Sequence, residues 1–407
     1  MNFSPDYTIK LCKKEKRGDG AVLLTVGRCT RAIRKTSEFE AAIAIGRDGG
    51  IFWHKEFNFC LMDCRLSKQE TLLLMATDGR ALEINLKGEI IHQWYCRNLF
   101  PEGLDGTPLE ISKLHHVLGE TLDGNIMSLS IQHHEMNTPD TNWTHYMADT
   151  VVVFNRAGLI VTEISLAEIL DPKRFCHGAK APYWAIQGWP NTKDWTHGNC
   201  IIQDPTDGGF LLSLRHQDCV VKLSENGELN WILGDPTGWE GRWFNKVLTI
   251  KGGRPFYHQH DLSFTSKGDL MLFDNGTASA VPPNPEQPIE KRQSFALSYS
   301  IDPKLMIANE TWRYGGNDLP YSHYVSGVCE LPNGNRFIAC TGICEDLDGN
   351  RVEVPPMGVG NIELIEVTPD GERVFHAVLK DSSAKPDNGW NGFRPEYLPP
   401  KISNKLA

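Results

Sequence analysis

The residues best suited to polar chemistry collect between positions 193 and 218, KDWTHGNCIIQDPTDGGFLLSLRHQD. The stretch opens on Asp194, Trp195, Thr196, His197, Gly198 and Asn199 and closes on Ser213, Leu214, Arg215, His216 and Gln217. Two apolar runs, Cys200 to Ile202 and Phe210 to Leu214, flank an Asp-Pro-Thr-Asp-Gly-Gly turn, the pattern of a β-hairpin. A hairpin brings its open ends side by side, so His197 and Arg215 are expected at one sheet edge. An imidazole and a guanidinium meeting there suit an anion. His216 is expected to face the other side of its strand.

Two more histidines share this setting. His116 lies eight residues before Gly124 in HVLGETLDG, and His260 lies eight before Gly268 in HDLSFTSKG. His197 holds the same place before a longer turn, and Ser326 takes it in the last unit, three residues after His323. Alternation turns one residue of each neighbouring pair away, which leaves the orientation of His115 and His258 open. His133 and His134, in IQHHEM, fall in a loop and are read equally well as surface residues.

A neutral imidazole is a good nucleophile, and a cationic Arg215 nearby helps to keep it neutral. Arg215, Asn199 and a second imidazole are fixed donors for a developing oxyanion. A departing oxygen needs a proton that His197 or His116 can supply.

The elements that must position these groups repeat. A β-rich run, a Gly-containing turn and a second β-rich run recur at 41–53, 80–94, 149–164, 218–232, 294–312 and 361–376, and the fifth copy has Asp-Pro in place of the Gly turn. Each copy is preceded by another hairpin, at 21–30, 60–77, 115–130, 193–218, 258–276 and 322–342. Two hairpins make a four-stranded antiparallel sheet, and six sheets make an all-β, six-bladed β-propeller. Equivalent positions then converge on the mouth of its central channel, bringing His116, His197 and His260 together with Arg215. Tryptophans closing the outer hairpins are expected to pack between blades. One short helix is expected near 165–170, and long loops at 95–114, 131–148, 165–192, 236–257 and 277–293. The domain reading is an N-terminal extension (1–19), a catalytic propeller (20–380) and a C-terminal tail (381–407) that wraps the outside.

Composition narrows the function classes. A formal net charge of -10 argues against a nucleic-acid partner, so an anionic substrate needs a local positive patch. No run of eighteen apolar residues exists, so no membrane span is expected. Eleven scattered cysteines without a CxxC pair, behind an N-terminus with no apolar signal core, point to free thiols and a cytoplasmic location. No GxxxxGK[ST] loop offers a nucleotide phosphate site.

The combination DWTHGN, SLRHQDCVVKL, WILGDPTGW and QHD followed by LMLFDNG resembles the bacterial arylsulfate sulfotransferases, in order, from about Ile45 to Lys380. Members of that family are similar in being six-bladed propellers that move a sulfuryl group between phenols without a nucleotide donor. The resemblance implies His260 as the nucleophile, passing through a sulfohistidine, with His116, His197 and Arg215 around the sulfuryl oxygens. Asn199 is then a further donor, and His115 and His258 are placed with it as substrate-binding candidates. It implies no metal and no cofactor, a small sulfate ester donor and a hydroxyl acceptor as partners, and leaves a homo-oligomer open. The competing reading is a metal-dependent propeller lyase or hydrolase with His116, His197 and His260 as ligands; Asp261 is the only adjacent carboxylate, and Arg215 would repel the cation. A non-catalytic propeller scaffold explains the blades and leaves the convergent histidines unexplained.

Overall fold

The computed structural model describes residues 6–29, 37–140, 143–179, 183–352, 358–386 and 388–407. The repeated turns are built alike. Thr121 N bonds to Asn125 O with Gly124 at φ +87°, and Thr265 N bonds to Asp269 O with Gly268 at φ +84°. This is the three-residue hairpin loop whose last residue is left-handed, the conformation that favours glycine. In the Asp-Pro copy Met306 takes that place at φ +55°.

The strands form six separate sheets in sequential order, each built on four antiparallel strands and three of them carrying an added parallel strand, a six-bladed β-propeller. Blade 3 begins at His115–Glu120, blade 4 at Gly198–Gln203, blade 5 at His260–Phe264 and blade 6 at Gly327–Glu330. These first strands pack against one another around the ring, so each blade starts at the inside. Six apolar clusters fill the six interfaces between neighbouring blades. They include one that joins Val22 and Ile43 of the first blade to Phe337 and Leu364 of the last, which closes the ring. Trp94 and Trp231 belong to these clusters, as expected of inter-blade packing. Trp94 also donates from Nε1 to Arg156 O of the next blade at 3.0 Å.

Closure uses both chain ends. The run 21–30 is not a hairpin: Ala21–Cys29 is one strand, paired with Ser37–Ile45 on one side and with Trp390–Gly392 and Glu396–Leu398 on the other. The tail therefore does not wrap the outside; it supplies the inner strand of blade 1. Residues Tyr7–Cys12 of the N-terminal extension pair with Arg373–Leu379 at the outer edge of blade 6. A second correction concerns 131–148. Ile126–Asp140 pairs with Trp143–Phe154 from Ile126↔Phe154 to Asp140↔Trp143, so the expected loop is a long two-stranded arm. The expected helix near 165–170 is present at Leu166–Ile169. Among the described residues no helix is long and apolar enough to cross a membrane.

Candidate active site

The hairpin of blade 4 brings its two ends together as its turn requires. Arg215 N donates to His197 O at 3.1 Å, and Gly198 pairs with Leu214. Past Leu214 the strand gives way to a 3-10 turn, Arg215–Gln217, ending at Asp218 with φ +46°. Alternation stops there, and His216 does not turn away. Its Nδ1 donates to Asp194 O (2.7 Å), its Nε2 accepts from Arg215 Nη1, and its ring centroid lies 4.6 Å from that of His197.

His197 is held by a carboxylate. Its Nδ1 lies 2.5 Å from Asp194 Oδ2, and the other Asp194 oxygen accepts from Trp184 Nε1 at 2.9 Å. The imidazole thus carries its proton on Nδ1 and has Nε2 free of that partner. Burial pushes the Asp194 carboxyl up, but the His197 and His216 rings beside it and the hydrogen bonds from His197 and Trp184 outweigh it and hold it below the usual carboxylate range. Asp194 stands in the DWTHGN motif, and its spacing of three from His197 was the available signal for this role.

In blade 3 a bulge changes the count. Counting from the turn matches His116 with His260, but the cross-strand partners match His115 (opposite Leu129) with His260 (opposite Phe273). The bulge residue His116 has φ +60°, and Asp261, which follows His260, has φ +61°. A bulge re-aims a side chain, and here it points His116 at the site: its ring lies 5.1 Å from His197 and 6.5 Å from Phe393. His115 sits behind it. Its Nδ1 lies 2.8 Å from His116 Nδ1, and its Nε2 lies 3.0 Å from Asp149 Oδ1 without the alignment of a hydrogen bond. His133 and His134 pair with His145 and Tyr146 on the long arm of blade 3, at 4.6 and 5.1 Å between centroids.

His260 is 2% exposed and, among the described residues, has no carboxylate partner. Its Nδ1 lies 2.7 Å from Asn275 Oδ1 and 3.1 Å from His258 O. Asn275 spends its Nδ2 on Ser322 O (2.8 Å) and Val325 O (3.0 Å), so its Oδ1 can only accept. The proton of His260 is therefore on Nδ1, and the lone pair of Nε2 accepts a hydrogen bond from Val325 N at 3.3 Å. Burial first, and the charge of Arg215 second, hold the imidazole well below its ordinary range. Asn275 lies in the LMLFDNG run, but an asparagine after a strand reads equally well as a turn residue.

The remaining candidates flank this group. Asn199 is fully buried and donates from Nδ2 to Gln259 O at 2.7 Å, holding the backbone one residue before His260. His258 faces blade 4: its ring lies 5.5 Å from His216, its Nδ1 is 3.1 Å from Asp218 Oδ1, and its Nε2 is 3.7 Å from Cys176 Sγ. Burial pushes Asp218 up to about 7 and His258 well down. Two groups bring ligand-type atoms within 4.8 Å of one another, Cys176–Asp218–His258 and Asp194–His197–His216. Neither is the His116–His197–His260 set that a metal-dependent lyase or hydrolase would use, and Arg215 lies against both. A cavity of about 540 Å³ lies elsewhere, beside Glu110, Gln132, Glu163 and Glu168.

The model of the arylsulfotransferase (ASST) family matches residues 11–390. The chain belongs to this family. It is 26% identical over 365 residues to the arylsulfate sulfotransferase AssT of Lelliottia amnigena, covering 75% of this chain and 60% of that protein. To the AssT of Escherichia coli O6:H1 it is 25% identical over 297 residues, 58% of this chain and 49% of that protein. The chain thus spans about half to three-fifths of the length of these relatives. Among solved structures, a Bacteroides caccae protein of unknown function aligns with a TM-score of 0.48 at 12% identity, over 93% of this chain and 99% of that one. The family match reaches Trp390, into the strand that closes blade 1.

Proposed function

We propose that this arylsulfotransferase moves a sulfuryl group from an aryl sulfate ester to a hydroxyl acceptor through a sulfohistidine at His260. One observation carries the reading: a fully buried, neutral imidazole whose proton is pinned to Nδ1 by Asn275, with the cation of Arg215 nearby. The name shared by both relatives supports the donor class.

In the first half-reaction His260 Nε2 exchanges its hydrogen bond from Val325 N for a bond to sulfur as the bond from sulfur to the aryl oxygen breaks. The electron pair leaves with the aryl oxygen, which takes a proton from His197 or His116. In the second, the acceptor hydroxyl gives its proton to the same imidazole, its oxygen bonds to sulfur, and the Nε2–S pair returns to His260. Arg215 offers a planar, charged pair of donors to the sulfuryl oxygens, in a site dry enough for them to act strongly. The substituted intermediate makes the kinetics ping-pong.

Intact-mass analysis after mixing the protein with 4-nitrophenyl sulfate tests the reading. The expected result is a gain of one sulfuryl group that maps to His260 and is discharged when phenol is added. Full turnover with no such adduct, or with an adduct on another residue, refutes it.

A further inference from the structure

We infer that Phe393, delivered by the C-terminal strand, decides whether the sulfuryl group passes to a hydroxyl acceptor or to water. This rests on the sulfohistidine reading and adds a specificity residue to it. Phe393 is 1% exposed, and its ring stands edge-on to both histidines, 6.5 Å from His116 (60° between planes) and 6.3 Å from His260 (88°). It offers them no hydrogen-bonding atom.

The ring is locked in place from both sides of the chain. Before it, Trp390–Gly392 pairs with residues 26–28, and Phe393 N reaches Thr25 O at 3.4 Å. After it, Arg394 is 1% exposed, bonds Asp63 through Nε (2.9 Å) and Nη2, and lies 2.7 Å from Cys200 Sγ and 3.4 Å from Asp261 Oδ1. Asp261 is bonded in turn to Val328 N at 3.1 Å, beside His260.

A buried water needs two to four polar partners and room for itself. The benzyl group of Phe393, which has no such partner to offer, packs against both His116 and His260. Removing it creates a water site next to the sulfohistidine, with His116 able to take a proton. Hydrolysis then follows: the water oxygen bonds to sulfur, the Nε2–S pair returns to His260, one water proton goes to His116, and hydrogen sulfate leaves and gives its remaining proton to solvent.

The test reads a product ratio from the one intermediate, so a general loss of activity cancels. With 4-nitrophenyl sulfate and a fixed concentration of phenol, inorganic sulfate and phenyl sulfate are measured for the wild-type chain and for Phe393→Ala. The variant is expected to raise the sulfate-to-phenyl-sulfate ratio about tenfold or more, and Phe393→Leu by less. An unchanged ratio in folded Phe393→Ala overturns the inference while leaving His260 labelling, and so the parent reading, intact. If Phe393→Ala does not fold, Phe393→Leu and Phe393→Met decide: an unchanged ratio in both overturns it. A wild-type protein that never labels His260 overturns both readings together.

Discussion

The two sides of the site hold their histidines by different partners. On the blade 3 and 4 side, His197 is tied to the buried carboxylate of Asp194 and His115 lies against Asp149, with His197 still 17% exposed at its side chain. On the blade 5 side, His260 is buried and tied to the amide of Asn275. A carboxylate stabilises an imidazolium, so its histidine can take up and return a proton; an amide fixes the tautomer without stabilising the charge. In the proposed reaction the same side chain thus serves as a proton carrier on one side and as a neutral nucleophile on the other. On the proposed sulfohistidine, the amide would also leave the ring without a neutralising anion and so a good leaving group for the second half-reaction.

The largest effect is expected where the neutral histidine is removed. His260→Ala should lower transfer by roughly 10⁴-fold or more and abolish the adduct in intact-mass analysis. Persistent labelling and turnover would move the nucleophile to the other side, with His116 next in line. Arg215→Lys keeps a charge but loses the planar fork. It should lower single-turnover labelling by roughly 10²–10³, the range for loss of one preorganised donor, while still allowing the adduct to form slowly.

The sequence carried much of this comparison. Six hairpin phrases specify six blades because each needs the same turn and the same two-faced burial, and the local pattern records both. The inner strand of blade 1 was not legible: residues 390–398 pair with Ala21–Cys29 across the whole chain, and no local pattern encodes that partner. His116 was found by counting from Gly124, although a bulge shifts its strand register by one residue. His216 was expected to turn away because alternation assumes a strand, and Arg215–Gln217 is a 3-10 turn. Asp194 and Asn275 lay inside motifs already singled out, but the hydrogen bonds that give each a role are tertiary.

A smaller effect should follow from weakening the proton carrier. Asp194→Asn leaves the His197 ring next to a neutral partner, so protonated His197 is less stabilised. Transfer from a poor leaving group such as phenyl sulfate should fall by roughly 10²-fold, the lower end for a general acid. Transfer from 4-nitrophenyl sulfate, whose leaving group needs no proton, should change by only a few-fold. Equal losses with both donors would mean that Asp194 serves the fold and not the proton.

The smallest effect on rate, and the sharpest test of the comparison, comes from giving His260 the partner that His197 has. In the native protein burial and the Arg215 charge disfavour the imidazolium of His260, so its neutral form persists as pH falls below 6.5. Single-turnover labelling should therefore keep its rate through that pH and decline only in more acidic buffer. Asn275→Asp puts a carboxylate where an amide oxygen now lies 2.7 Å from Nδ1. An opposite charge at that distance favours the protonated ring by about one to three pKa units. The reactive neutral fraction is then lost at higher pH, and the acid limb of labelling should move up by that amount while the rate near pH 8 falls only a few-fold. The variant also strips the donors from Ser322 O and Val325 O, at a cost of about 1–3 kcal/mol for each buried group left unpaired. The profile is therefore to be taken on protein shown by thermal melting to be folded. An acid limb that stays where it was would mean that the partner of His260 does not set its charge, and the distinction between the two sides would fail.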